Sequence, residues 1–70
     1  MESGYRAVIQ RDGVWWIGWI EEVPGVNSQG RTREELLENL SSALHEAVEM
    51  NRAEALAAAH GDYEEVRLRA

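Results

Sequence analysis

The side chains of this sequence best suited to bind a metal ion or move a proton are two histidines and a large set of carboxylates. His45 and Glu49 stand four residues apart, so on a helix they share one face and could hold an ion together. A metal site needs three or four ligands, and no third ligand stands near this pair; the sequence also has no cysteine. No serine or histidine has a context that suggests a nucleophile. We therefore predict no metal, no cofactor and no catalytic residue, and we interpret the pair as solvent-exposed.

A capping motif sets the start of the helix that carries this pair. The Thr32 hydroxyl can accept a hydrogen bond from the backbone N–H of Glu35, and the Glu35 carboxylate can reach back to the N–H of Thr32. The motif predicts a helix that begins at Arg33, and Gly61 is placed to stop it. The predicted solvent face of this helix consists of Glu35, Glu38, Ser42, His45, Glu46 and Glu49.

Alternating apolar residues before the helix predict a β-hairpin. Residues 5–11 alternate with the period of a strand, and residues 14–20 are apolar on both faces, which is typical of a strand covered on both sides. Asp12-Gly13 between them suits a type I′ turn. A two-residue turn at that point places Ile9 opposite Trp16.

Two further strands are predicted. Pro24-Gly25 predicts a turn, and residues 26–29 after it predict a short strand at the edge of the sheet. Residues 63–69 alternate again and predict a fourth strand. The order of elements is strand, strand, strand, helix, strand, which predicts an α+β domain.

One helix can cover only one face of such a sheet. Gly18 and Ala7 leave room for it on their face, so the opposite face stays open. Burying a large apolar side chain contributes roughly 1.5–3 kcal/mol, so four of them left in water would forfeit on the order of 6–10 kcal/mol, comparable with the stability of a small domain. We therefore expect another surface to cover this face, and we expect Arg6 to stack on Trp19 as a cation–π pair. The open face consists of Val8, Trp15, Ile17 and Trp19.

Length and charge restrict the class of protein. Seventy residues predict one domain over 1–70, which is too small to be very stable without a partner. A net charge of −6 opposes direct binding to nucleic acid and suits a basic partner. We see no signal peptide and no apolar run long enough to span a membrane, and we expect a cytoplasmic location without membrane contact.

Several local features recur together between about residues 5 and 48: Asp12-Gly13, Trp15-Trp16, Pro24-Gly25, Gly30, Thr32, Glu34-Glu35 and Asn39-Leu40. In combination they resemble the signature of HicB-like antitoxins, a family of type II toxin–antitoxin systems. The resemblance implies a partial ribonuclease-H-like fold in which the fourth strand lies parallel beside the first. It also implies dimers or higher homo-oligomers.

The resemblance further implies a partner. This is a small basic HicA-type toxin with a double-stranded-RNA-binding-like fold, which cleaves messenger RNA and is neutralised when the antitoxin covers its active site. The sequence departs from the family pattern at Ile20, where a proline is common, and at Leu36, where alanine is common. Full-length members continue into a DNA-binding segment, which nothing after Ala70 can supply. We therefore expect a short form that does not bind DNA itself.

Two other functions have to be weighed against this one. The chain could be a solitary oligomeric structural or ligand-binding module with the same fold and no toxin. A nuclease of the ribonuclease H type needs carboxylates that converge on two metal ions, with one in the middle of the first strand. That strand offers only Arg6, Val8 and Gln10 on its polar face. We predict that the protein is not an enzyme.

The predicted interaction surface combines the open face with the edge of the third strand. An unpaired edge is available for pairing with another chain. A second copy and a toxin can both be bound, through different surfaces. The residues predicted to form this partner or oligomer interface are Val8, Trp15, Ile17, Trp19, Val26 and Ser28.

Overall fold

The computed structural model describes residues 4–68, which form a three-stranded antiparallel sheet packed against one helix. The strands are β1 (Ala7–Asp12), β2 (Trp15–Ile20) and β3 (Asn27–Gly30), and they lie in the order β1-β2-β3 across the sheet. The helix α1 spans Arg33–Ala57. The prediction of an α+β domain with a three-stranded meander and one long helix is confirmed.

The predicted hairpin forms, but its turn differs from the prediction. Asp12 pairs with Trp15, so the loop consists of Gly13 and Val14 rather than Asp12 and Gly13. Gly13 has a φ of 66°, and among the described residues only glycines have positive φ. A type II′ turn needs positive φ at its first central residue alone, whereas type I′ needs it at both. The glycine therefore takes the first central position, and Asp12 stays in the strand.

The shifted turn moves each cross-strand pair by two residues. Ile9 lies opposite Gly18 instead of Trp16. Because side chains alternate between the faces of a sheet with a period of two, a shift of two residues leaves every side chain on its predicted face. The face predicted to receive the helix is the one that α1 covers, with Ile20 buried and Ile9 and Trp16 packed against the core.

The helix begins at Arg33, as predicted, with Thr32 as its N-cap. The Thr32 hydroxyl accepts a hydrogen bond from the N–H of Glu35 at 3.0 Å, which satisfies one of the backbone donors that a helix start leaves unpaired. The Glu35 carboxylate reaches one residue further back than predicted and accepts from the N–H of Arg31. These two bonds hold the junction between β3 and α1. The helix ends at Ala57, slightly before Gly61.

The core lies between α1 and the strands β2 and β3. Two glycines allow the helix to approach the sheet closely. A Cβ atom on Gly18 would lie 3.1 Å from Cδ1 of Leu40 and 2.9 Å from the carbonyl oxygen of Val8. A Cβ atom on Gly30 would lie 2.6 Å from the backbone nitrogen of Leu36. The buried apolar residues are Ile20, Val26, Leu36 and Leu40.

The second half of α1 extends beyond this core. Ala47 is the last helical residue that packs against it, and the helix continues to Ala57, about 15 Å further at 1.5 Å per residue. The radius of gyration is 15.3 Å, compared with roughly 11 Å for a compact chain of this length. The molecule is accordingly elongated, with dimensions of 51 × 26 × 16 Å.

The predicted fourth strand does not form among the described residues. Residues 63–68 have no regular secondary structure, and Val66 and Leu68 are 65% and 85% exposed. Arg69, the last residue of the predicted strand, lies outside the described residues. The physical reason is that two apolar residues between charged neighbours bury little surface, while the chain leaves α1 well beyond the end of the core. Within residues 4–68, no fourth strand therefore lies beside the outer edge of β1.

The close approach at Gly18 provides a first test of this packing. We expect Gly18→Ala to lower the free energy of unfolding by about 1–3 kcal/mol, because the added methyl group meets a backbone carbonyl and a core leucine. Urea unfolding followed by tryptophan fluorescence measures the change. Gly4→Ala is the matched control, since a Cβ atom there has no neighbour within 4 Å. Equal unfolding midpoints for the two variants would contradict the packing described here.

The helix cap provides a second test. Thr32→Ala should cost about 1 kcal/mol of unfolding free energy, because the N–H of Glu35 loses its acceptor. Thr32→Ser keeps a hydroxyl in the same place and should unfold close to the wild type. A loss of equal size in both variants would show that the threonine methyl group, and not the hydrogen bond, is what matters.

Candidate functional site

The face of the sheet opposite α1 forms the candidate interaction site and is called the tryptophan face here; it is formed by Val8, Trp15, Ile17 and Trp19. Val8 lies directly opposite Trp19 across the β1–β2 pair. Trp15 and Trp19 are 37% and 41% exposed, whereas Val8 and Ile17 are half-buried by their neighbours. The described residues leave both tryptophans open to solvent. An exposed aromatic pair on a flat sheet is typical of a protein-interaction surface.

Arginines stack on two of the tryptophans, but not in the predicted pairing. The guanidinium carbon of Arg31 lies 5.1 Å from the ring centre of Trp15, and that of Arg11 lies 5.4 Å from the ring centre of Trp16. The predicted pair of Arg6 with Trp19 does not form, because the corrected register brings Arg6 level with Glu21, whose N–H donates to the Arg6 carbonyl. The cation beside the tryptophan face therefore comes from Arg31, at the junction of β3 with α1.

Val26 and Ser28 were predicted to belong to the interaction surface, but neither lies on an open surface. Val26 is 7% exposed and belongs to the core, and its carbonyl accepts a hydrogen bond from the N–H of Ile20 at 3.0 Å. Ser28 is half-buried opposite Gly18, on the side of the sheet that α1 covers. The carbonyl of Val26 and the backbone of Ser28 point toward β2, while the N–H of Val26 donates to the carbonyl of Val23 at 3.3 Å. Neither side chain belongs to the tryptophan face.

The edge of β3 is partly closed by the helix. Because alternate residues of an antiparallel strand point away from their partner, Gln29 directs its backbone outward. Its carbonyl accepts a hydrogen bond from Nδ2 of Asn39 at 2.9 Å. Sequence analysis did not identify this contact. The signal was present, however, because Asn39 is a polar residue one position before Leu40 in the apolar part of the helix.

The predicted solvent face of α1 is confirmed as exposed, and it is strongly acidic. Six glutamates and two arginines give the helix a charge of −4 out of the −6 of the whole chain. Among the described residues, Arg52 and Glu49 form an ion pair at 3.2 Å, between side chains that are both more than half exposed. Most of the helix carboxylates therefore present an unneutralised negative surface. The exposed residues of this acidic helix face are Glu35, Glu38, Ser42, His45, Glu46 and Glu49.

His45 and Glu49 are both exposed on α1, and no group of three or more potential metal ligands occurs among residues 4–68. His45 and Glu46 line a shallow, open depression together with Ser41 and Ser42. Asp12 ends β1 and is also exposed. The part of the chain that the structure describes thus offers two extended surfaces rather than an enclosed site.

Comparison with known proteins adds no relatives. No protein-family model matches the chain, and searches of curated proteins and of solved structures returned no match. Within residues 4–68, no helix combines the length and the apolar character needed to cross a membrane.

Trp16 and Trp19 should differ in their contribution to the free energy of unfolding. We expect Trp16→Ala to cost about 2–3 kcal/mol of unfolding free energy, because its half-buried ring packs against the core. Trp19→Ala should cost less, about 1 kcal/mol when measured on the monomer, since Trp19 is 41% exposed and does not pack against the core. Urea unfolding at low protein concentration makes the comparison.

A measurement of solution mass at micromolar concentration completes this test. If a second chain covers the tryptophan face, Trp15→Ala and Trp19→Ala lower the average mass, while Val14→Ala, which replaces an exposed residue of the hairpin loop, leaves it unchanged. A wild-type monomer that neither tryptophan substitution affects would contradict the interaction of this face with a second copy.

Proposed function

We propose that this chain is a HicB-like antitoxin domain, which binds a small basic HicA-type toxin and so prevents the toxin from cleaving messenger RNA. The observation that carries the proposal is the exposed acidic face on the solvent side of α1, a helix with a charge of −4. A domain with this surface suits a cationic protein partner. The proposal places this role in the cytoplasm, where messenger RNA is the toxin's substrate, and assigns no catalytic step to the chain itself.

The residues that carry the family resemblance have clear structural roles in this chain. Pro24 and Gly25 form the turn before β3, and Gly25 has a φ of 90°, which favours glycine. Gly30 allows α1 to approach the sheet, and Thr32 caps the helix. Such roles support the proposal to the extent that family members share a fold.

The two surfaces would act at different stages of binding. The acidic helix face attracts a basic toxin over a range of about 8–10 Å at physiological ionic strength, and so raises the rate of encounter. The apolar tryptophan face lies on the opposite side of the sheet, and in the final complex, which the toxin reaches by moving round the sheet after encounter, it supplies contact area that is removed from water. Neutralisation in this mechanism is steric, because the antitoxin covers the nuclease site and does not need to contact RNA.

The proposal takes the three strands and the helix from the family's fold. A partial ribonuclease-H-like fold would add residues 63–69 as a strand parallel to β1, and the proposal does not include that strand, because residues 63–68 are irregular. The α+β arrangement of three strands and one helix supports the proposal.

A binding experiment with a HicA-type toxin tests the proposed function. We expect the two proteins to elute as one complex in size-exclusion chromatography, and the mixture to protect RNA that the toxin alone degrades. Replacing Glu38 and Glu46 by lysine should lower the association rate constant by about tenfold or more, because the steering charge is reversed. Addition of salt should reduce the difference in association rate constant between wild type and variant, because it screens the charges.

A matched control separates local charge from net charge. Glu64→Lys with Glu65→Lys makes the same change in net charge on the C-terminal segment and should leave the association rate nearly unchanged. The absence of both a complex and RNA protection, with a toxin that is active alone, would refute the proposal. In that case the exposed tryptophans favour the alternative function, a solitary module that assembles with copies of itself.

A further inference from the structure

The two edges of the sheet differ in the backbone groups that they leave free. At β3, the outward carbonyl of Gln29 is already bonded to Asn39 of the helix. At β1, the N–H of Glu21 donates to the carbonyl of Arg6 at 2.9 Å. The backbone groups of Arg6, and of every second residue after it, are therefore directed toward β2. The backbone N–H and C=O groups of the residues between them then point away from β2.

The outward residues of β1 are Ala7, Ile9 and Arg11. Each directs one N–H and one C=O group away from β2, and within residues 4–68 none of these groups has a backbone partner. The strand contains no proline, so all three residues can donate as well as accept. The helix packs against β3 and β2 and does not block this edge. The β1 edge is therefore ready to pair with another strand.

We propose that β1 pairs antiparallel with β1 of a second copy of this chain, about a two-fold axis at Ile9. Outward residues can pair only with outward residues, which restricts the possible registers. Among these, a single register satisfies all three outward residues at once: Ile9 opposite Ile9 of the second copy, and Ala7 opposite its Arg11. The result is a continuous six-stranded sheet.

The same register produces complementary charge. Arg6 comes to lie opposite Asp12 of the second copy, and the two-fold axis repeats the pair. Opposite residues at such non-hydrogen-bonded positions have Cα atoms about 4.5 Å apart, so their side chains meet. Within one copy the two residues stand at opposite ends of a strand, roughly 20 Å apart at about 3.4 Å per residue, and cannot form this pair. The charges are matched only between copies.

The distribution of charge over the chain favours this edge for self-association. Two copies with a charge of −6 each repel, and the strongest repulsion comes from the helix, which carries −4. Residues 6–12 contain two arginines and one aspartate, a local charge of +1. A second copy therefore meets the least repulsion when it approaches along β1.

The geometry also leaves room for both helices. Because α1 lies over β2 and β3, the two helices would stand about 19 Å apart at a strand spacing of about 4.8 Å, which exceeds a helix diameter of about 10 Å. They lie on the same side of the joined sheet, and the two tryptophan faces become one surface on the other side. The inference does not depend on the binding of a toxin.

Charge reversal followed by charge exchange tests the proposed pair. Arg6→Glu places two carboxylates opposite each other at both symmetric sites and should weaken dimerisation by about tenfold or more. Arg6→Glu combined with Asp12→Arg exchanges the partners and should restore it. Sedimentation equilibrium measures the shift between the monomer of 7.9 kDa and twice that mass. Arg33→Glu, an exposed change of equal charge at the start of α1, is the control and should leave the dimer intact.

Amide hydrogen exchange on the full chain locates the contact independently. The amides of Ala7, Ile9 and Arg11 should become protected as protein concentration rises. Protection that is independent of concentration would show that the chain's own C-terminal segment occupies the edge, and would overturn the proposal. A wild-type protein that is monomeric at all concentrations would overturn it as well. So would a dimer that Arg6→Glu does not weaken.

Discussion

The structure depends on one close contact, the seating of α1 against the sheet at two glycines. At Gly30 the backbone of β3 comes so near to the first turn of the helix that a side chain there would strike the nitrogen of Leu36. At Gly18 the middle of β2 comes near to Leu40, whose Cδ1 would lie 3.1 Å from an added Cβ atom. These contacts bring both leucines into the small core, and no other described residue is as completely buried as Leu36. Thr32 directs the helix along this path by capping it at the junction with β3.

Because a single helix packs in this way, the two faces of the sheet differ, and so do its two edges. The helix covers one face of the sheet and leaves the tryptophan face open. It also crosses β2 and β3 rather than β1. Asn39 of the helix partly closes the edge of β3, whereas no backbone partner within residues 4–68 occupies the edge of β1. One packing choice thus determines both the open face and the open edge.

Charge follows the same division. The helix holds most of the negative charge on its outer side, whereas the β1 edge is slightly positive and the tryptophan face is largely apolar. A basic partner is attracted to the first of these surfaces, and a second copy of the chain is repelled least at the second. The proposed antitoxin role and the proposed dimer therefore need not compete for the same residues. Pairing along β1 would also join two tryptophan faces, which doubles the apolar area available to a partner.

The sequence by itself determined the elements and their faces. Alternation in the first strand, the apolar run of the second, the Pro24-Gly25 turn and the Thr32 cap are local signals. Each depends on residues within a few positions of one another. The faces of the sheet could be predicted even though the register was wrong, since an error of two residues preserves alternation.

Only the tertiary structure decided the turn type, the edges and the end of the chain. The type II′ turn depends on which residue takes positive φ when the whole hairpin twists, and Gly13 does so in preference to Asp12. Burial of Val26 and closure of β3 by Asn39 depend on where a helix ten residues further along is placed. The alternation of residues 63–69 predicts a strand, yet a strand forms only when an edge and an apolar surface lie within its reach. The long extension of α1 past Ala47 carries this segment away from the core, and no local pattern encodes that distance.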